Sequence, residues 1–353
     1  MKKYILIDPP YKVFYGDKIF KAGDTRMNRD GTLDSTARLR DKFDKLDIEI
    51  HTADYYFKNK TWIERENASC DYYSLGILEN FEALGQRKNI NLQAFVVMEP
   101  PVVAPHLYLA LPRLTKYFKR VYVSNIHGDG YSLDGVNREK LHKFYWPVPF
   151  NDVLEKFWNN TDRMNRVVAI SSNHNPMLYN LRHFILRKPQ SELYSKRIEA
   201  VAALSKSGVV DLYGPRWGVW WSPFSMWRPY WKNRNALMSV YKGVCRSKHE
   251  VLSHYRFSLC FENMYMTDYI TEKIFDCIYA GTIPLYLGAK NISDLIPPNV
   301  YVDCRNYSSW DGMWESVREM PDSRIQDMKE AGRVFVRKYG LRYYNSLEEI
   351  VIP

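Results

Sequence analysis

Short β-rich runs alternate with helical patterns twice along this chain, and that alternation limits the fold more than any other feature. In the first half, Tyr4–Asp8, Asp47–Thr52, Gln93–Met98 and Arg120–Ser124 read as strands, and Thr36–Leu46 and Ala104–Tyr117 as helices. Such alternation builds parallel sheets, because a parallel pair needs a crossover long enough to hold a helix. Around Lys140–Arg166 it breaks into WPVPF, a short helical run at Asp152–Trp158 and the polar stretch Asn159–Arg166. It resumes with strand Arg166–Ser172, helix Glu192–Lys206, strands Val209–Tyr213 and Phe257–Phe261, helix Tyr269–Ala280 and strand Thr282–Leu287. Helical runs Ser308–Glu319 and Ser323–Tyr339 follow, the second weakened by Gly332. The expectation is an α/β chain of two Rossmann-like domains, residues 1–160 and 161–353, with the last helices free to pack back on the first. Facing halves of this kind bind ligands in the cleft outside the carboxyl ends of their strands.

The chain has 353 residues, 46% hydrophobic and 25% charged, which suits two cores and excludes extensive disorder. Its 50 Lys and Arg against 40 Asp and Glu give a formal charge of +10, which favours polyanions, anionic membrane surfaces or phosphorylated small molecules. The positive charge is spread along the chain and no zinc-finger spacing or other nucleic-acid module occurs, so nucleic acid is not expected as a partner. The apolar run in MKKYILIDPP is too short for a signal peptide, and Ala94–Leu111 is broken by Glu99, prolines and His106. Cys70, Cys245, Cys260, Cys277 and Cys304 form no CxxC pair, so a reducing cytoplasm is expected. Without GxGxxG or a P-loop, a nicotinamide enzyme or kinase is disfavoured.

The segment FSLCFENMYMTDYITEKIFDCIYAGTIPLYLG, Phe257 to Gly288, runs strand, polar loop, helix, Gly turn, strand. It places Glu262, Asn263, Asp268, Tyr269, Glu272 and Lys273 where a strand ends and a helix begins. A helix start offers free N–H groups and the positive end of the dipole, and Lys273 adds a full charge toward a pyrophosphate. Glu272 suits ribose hydroxyls. The competing reading is structural: Thr271 or Asp268 caps the helix while Glu272 and Lys273 are solvated surface charges.

FSLCFEN, DYITEKIFD and AGTIPLYLG together resemble the donor-site signature of the α-1,3-fucosyltransferase family. The resemblance extends back through KHEVLSHYRF, VVDLYGPRWG, KRIEAVAALSKSG and VVAISSNHNP and forward to IPPNVYVDCRNY, covering about Arg166–Tyr307. Before Arg166 it rests on MEPP, Met98–Pro101, similar to the family's M-E-S-P. It implies two facing Rossmann-like domains of GT-B type with the active site in the interdomain cleft. It also implies an inverting transfer of L-fucose from GDP-L-fucose to a glycan hydroxyl, with GDP on the C-terminal domain. Carried over, Asn263, Tyr269, Glu272 and Lys273 match the nucleotide-contacting positions. Arg197 matches a basic residue whose guanidinium fork pairs with the diphosphate, against a plain helix-surface role.

Glu99 follows the apolar strand in MEPP and is the implied general base, since a carboxylate must take the acceptor proton as the new bond forms. The alternative is that it caps Ala104–Tyr117 or binds a backbone amide. No Asp-x-Asp, HExxH or other close ligand spacing occurs, so no cofactor or metal is expected. Leaving-group charge then falls to Arg197, Lys273 and the helix start. His174 in SSNHNP reads as a structural loop histidine. RWGVWWSPFSMWRPYWKNR, Arg216–Arg234, concentrates tryptophans among basic residues, with Trp217, Trp220 and Trp221 at its head. Three readings compete: acceptor stacking, contact with a membrane beside a lipid-linked glycan, or packing. Animal members carry a membrane anchor and luminal disulfides, and some bacterial ones heptad repeats with a basic tail. Neither pattern stands here, which implies a bacterial-type cytoplasmic enzyme with at most weak association with the inner membrane. The nearest rivals keep the fold with another GDP- or 6-deoxy-sugar donor, or are non-catalytic glycan binders.

Overall fold

A computed structural model describes residues 3–65, 68–175, 191–219 and 227–352. The chain forms two compact units, Met1–Pro149 with Arg342–Pro353 and Phe150–Leu341. The N-terminal unit holds a parallel sheet of β1 (Lys3–Asp8), β2 (Glu49–Thr52), β3 (Ser69–Ser74), β4 (Ile90–Val96), β5 (Arg120–Val123) and β6 (Leu141–Lys143). Their order is β2-β1-β3-β4-β5-β6. The C-terminal unit holds a parallel sheet of β7 (Met164–Ile170), β8 (Val210–Tyr213), β9 (Tyr255–Phe261), β10 (Ile283–Leu287) and β11 (Val302–Asp303), ordered β11-β10-β9-β7-β8. Both units are thus doubly wound. The order reverses between β1 and β3 in one and between β7 and β9 in the other, and open α/β sheets take ligands at such reversals.

The boundary falls about ten residues before the expected one. Leu154 N–H donates to Tyr279 O at 3.0 Å, the Tyr279 hydroxyl to Phe150 O at 2.6 Å, and Arg337 grips Asp152 at 2.7 Å, so residues 150–158 belong to the second unit. Residues 342–352 belong to the first. Leu347, Ile350 and Val351 join its core beside Ile5, Ile7, Phe43 and Ile50. Arg38 donates to Tyr344 O at 2.8 Å and the Tyr73 hydroxyl to Ile352 O at 2.8 Å.

β3 went unread in the sequence because SCDYYS is too polar for a central strand. Its Asp71 is satisfied across the sheet by Lys3 at 2.9 Å, Gln93 at 2.7 Å and Asn91 at 3.1 Å, from the two flanking strands. A carboxylate partnered this way can sit among apolar neighbours. No described helix is long and apolar enough to cross a membrane, and all five cysteines are buried.

β9, helix Glu272–Ala280 and β10 form the core of the C-terminal unit. FSLCF is buried throughout, as a strand covered on both faces demands, and the helix buries Ile274, Phe275, Ile278 and Tyr279. The helix stops at Gly281, which is left-handed at φ 70° and donates to Cys277 O and Ile278 O. Past β10 the chain makes a close approach at Gly288. A Cβ there would lie 2.5 Å from both Glu262 Cγ and the Tyr286 hydroxyl. Gly288→Ala should therefore destabilise the protein by about 1–3 kcal/mol, read from chemical denaturation; an unchanged midpoint would show that Glu262 can shift at no cost.

Candidate functional site

The reversal between β7 and β9 brings two loops together: Ser171–Asn175 after β7, and Glu262–Thr271 after β9. Two helices begin beside the second loop, Tyr194–Ser205 and Glu272–Ala280. The first is fastened to it by backbone. Leu193 N–H donates to Asn263 O at 3.2 Å and Tyr265 N–H to Ser191 O at 2.7 Å, around an antiparallel bridge between Glu192 and Met264.

Glu262 organises the loop from within. It is fully buried, and its two oxygens accept from the Thr271 N–H and the Thr271 hydroxyl, each at 2.8 Å, with Lys273 Nζ at 3.4 Å. Burial pushes its carboxyl above the ordinary range against the opposing pull of Lys273. The sequence reading placed Glu262 in this loop but gave it no role. The other end of the loop is held by Asp268, left-handed at φ 65°. Its N–H donates to Asn291 Oδ1 at 2.8 Å, and Asn291 Nδ2 donates back to its carboxylate at 3.1 Å.

These bonds answer the capping alternative. Thr271 stands at the N-cap of Glu272–Ala280, yet makes no side-chain cap, because its hydroxyl is committed to Glu262. Asp268 is committed to Asn291. The helix therefore starts without a side-chain cap, and Lys273 Nζ stands over that start at 2.9 Å from Thr271 Oγ1 and 3.5 Å from Glu272 Oε1. Burial raises the Glu272 carboxyl, but Lys273 and Lys248 outweigh it and hold that carboxyl below its ordinary range. Glu272 is thus an anion available to hydroxyl donors.

The remaining residues singled out in the sequence are placed as follows. Asn263 is half-buried, and within the described residues its side chain makes no hydrogen bond; Tyr269 is fully buried under the loop. Arg197 is buried rather than a surface charge, and its Nη2 donates to Phe261 O at 2.6 Å and Glu262 O at 3.3 Å, tying helix to strand end. Trp217 is 2% exposed with its indole N–H on Ser171 O at 2.6 Å. That seat corrects the acceptor and membrane readings for Trp217 in favour of packing; Trp220 and Trp221 lie outside the described residues. Glu99 lies in the loop three residues past β4 of the other unit, half-buried, its carbonyl accepting from the Tyr108 hydroxyl at 3.0 Å. Among the described residues, no three His, Cys, Asp or Glu side chains converge as metal ligands would.

One residue read as merely structural stands inside the crevice. His174 Nε2 lies 2.8 Å from Arg216 Nη2, and since arginine only donates, the ring accepts and is neutral. Burial, with Arg216, Arg197 and Lys273 adding to it, pushes its pKa down to about 4 from 6.5. A histidine whose folded pKa is depressed contributes stability that is complete above about pH 6.5 and is lost as pH falls toward 4. His174→Gln should flatten that limb of the melting temperature against pH. An unchanged acid limb would assign the loss to other groups.

Comparison with known proteins agrees with this geometry. Residues 189–326 match the profile described as glycosyltransferase family 10 (fucosyltransferase) C-term, which spans both helix starts and the whole Glu262–Thr271 loop. An alpha-(1,4)-fucosyltransferase of Arabidopsis thaliana is 34% identical over 77 residues, 22% of this chain and 19% of that protein. The alpha-(1,3)-fucosyltransferase FucT of Helicobacter pylori is 38% identical over 66 residues, 19% of this chain and 14% of that protein. The match thus spans under a fifth of either relative's length. A crystal structure of a glycosyltransferase from Rickettsia africae ESF-5 shares the fold alone, two parallel-sheet α/β units of GT-B type, with TM-score 0.50 and 11% identity over 99% of this chain and 98% of that one. Residues 189–326 are thus similar to the C-terminal domain of glycosyltransferase family 10, the fucosyltransferases.

Proposed function

We propose that this protein is a glycosyltransferase that moves L-fucose from GDP-L-fucose to a hydroxyl of a glycan acceptor, in an α-1,3-type linkage and with inversion. The observation that carries the reading is the uncapped start of helix Glu272–Ala280 with Lys273 over it, at the strand-order reversal of a unit that matches the fucosyltransferase profile. A diphosphate leaving group accumulates negative charge as its bond to the sugar breaks. Backbone amides, a helix dipole and an ammonium fixed in advance stabilise that charge without reorganising. Glu272 suits the ribose hydroxyls and the half-buried Asn263 the nucleotide beside it, while Tyr269, fully buried, supports the loop from beneath rather than by contact. Arg197 supports the diphosphate by fixing the strand end beneath it. Glu99 is assigned the acceptor proton, on its place after β4 and its likeness to the family's M-E-S-P. The protein itself supplies the leaving-group charge in this reading, so no metal takes part in the step.

The test is a donor panel monitored for GDP release and for fucosylated product, with oligosaccharide and lipid-linked acceptors. Turnover is expected with GDP-L-fucose and is expected to persist in EDTA. Transfer from another nucleotide sugar with none from GDP-L-fucose would replace the donor while keeping the fold, and release in no case would point to a glycan binder. Glu99→Gln should keep GDP affinity and lower turnover by about 10²–10⁴-fold, the usual contribution of a positioned base. Equal rates would remove Glu99 from the mechanism.

A further inference from the structure

A third cation belongs to the crevice between β7 and β9. Arg216 lies in the turn after β8, and that turn is fastened from two sides. Trp217 Nε1 donates to Ser171 O at 2.6 Å, Asn173 N–H to Pro215 O at 3.1 Å and Ser171 N–H to Tyr213 O at 2.9 Å. Opposite, Gly214 N–H donates to Gly243 O at 2.9 Å and the Tyr241 hydroxyl to Gly214 O at 2.9 Å. At Gly214, φ 133°, an added Cβ would lie 1.9 Å from Ser171 O, so the two loops touch backbone to backbone. Within this locked turn Arg216 is held at φ 71°, a left-handed conformation that an L residue other than Asn or Asp rarely adopts. Strain of this kind persists where the surroundings fix it, and it gathers at functional sites.

The turn aims Arg216 at His174, 2.8 Å away, and the His174 ring stands 5.7 Å from that of Tyr194, which opens the helix carrying Arg197. A neutral imidazole offers the guanidinium an acceptor but no charge, so it orients Arg216 without neutralising it. A guanidinium carries five N–H donors in a planar fork that matches phosphate oxygens. Beside the pair, Ser171 Oγ and Asn173 Oδ1 are buried and, among the described residues, have no hydrogen-bond partner, which is uncommon away from functional sites.

We infer that Arg216 is a further cation for the diphosphate of a nucleoside diphosphate at this crevice, and that His174 is the positioning residue that aims it. The inference rests on the crevice being the nucleotide site proposed above. Calorimetric titration of the full chain with GDP separates the two: absence of saturable binding by the wild type would overturn the site, whereas the variants judge Arg216. Arg216→Gln should weaken GDP by about tenfold to a hundredfold, as loss of a hydrogen-bonded charge does, and should flatten the dependence of affinity on salt. Arg216→Lys should recover part of both. His174→Leu should weaken GDP several-fold while His174→Gln, which keeps an acceptor, recovers it. Affinity of Arg216→Gln within twofold of wild type would overturn the inference. So would an equal loss in Arg216→Gln and Arg216→Lys with unchanged salt dependence, which marks a purely structural turn.

Discussion

The bond between the Glu262 carboxylate and Thr271 is the interaction on which the site depends. It joins the end of β9 to the start of helix Glu272–Ala280 across an irregular loop, and it consumes the hydroxyl that would otherwise cap the helix. A buried carboxylate is costly unless its lone pairs are met, and here an amide, a hydroxyl and Lys273 meet them. Gly288 leaves room for its methylene, and Arg197 ties off the carbonyls on either side of it. One internal acid thereby fixes the loop, exposes the helix start and places a lysine over it.

The N-terminal unit offers a contrast. Asp8 also stands at the carboxyl end of a strand beside a reversal of order, is also buried, and is also pushed above the ordinary range by burial. Its partners are the hydroxyls of Tyr72 at 2.6 Å and Tyr15 at 2.7 Å and the Asn80 amide at 2.8 Å. Neutral donors satisfy an acid but add no positive charge to the mouth of the sheet. Similar sheet topology therefore places a positive charge at the mouth of the sheet only in the unit where the partner is a lysine.

The contiguous part of the site was legible in the sequence because strand, loop and helix start are neighbours along the chain, so Glu262 to Lys273 share one stretch of text. β7, β8, β9 and β10 were legible as apolar runs. What escaped was whatever depends on pairing across the fold. SCDYYS hides a central strand because its Asp71 finds partners on β1 and β4. His174 and Arg216 lie in loops 42 residues apart, and only the parallel pairing of β7 with β8 brings them together. The helix Glu272–Ala280 starts three residues later than expected because Glu262 holds Thr271 in an extended conformation just before it.

The division of the chain into Met1–Pro149 with Arg342–Pro353, and Phe150–Leu341, sets an order of assembly on the ribosome. Everything the second unit needs has been translated by residue 341, so it can close as soon as that residue clears the exit tunnel. The first unit, although begun earlier, lacks Leu347, Ile350 and Val351 from its core until later still. Domains are commonly completed from the N-terminal end during synthesis. Here the earlier half must wait, its apolar face of Ile5, Ile7 and Phe43 incompletely covered, while the C-terminal half matures first.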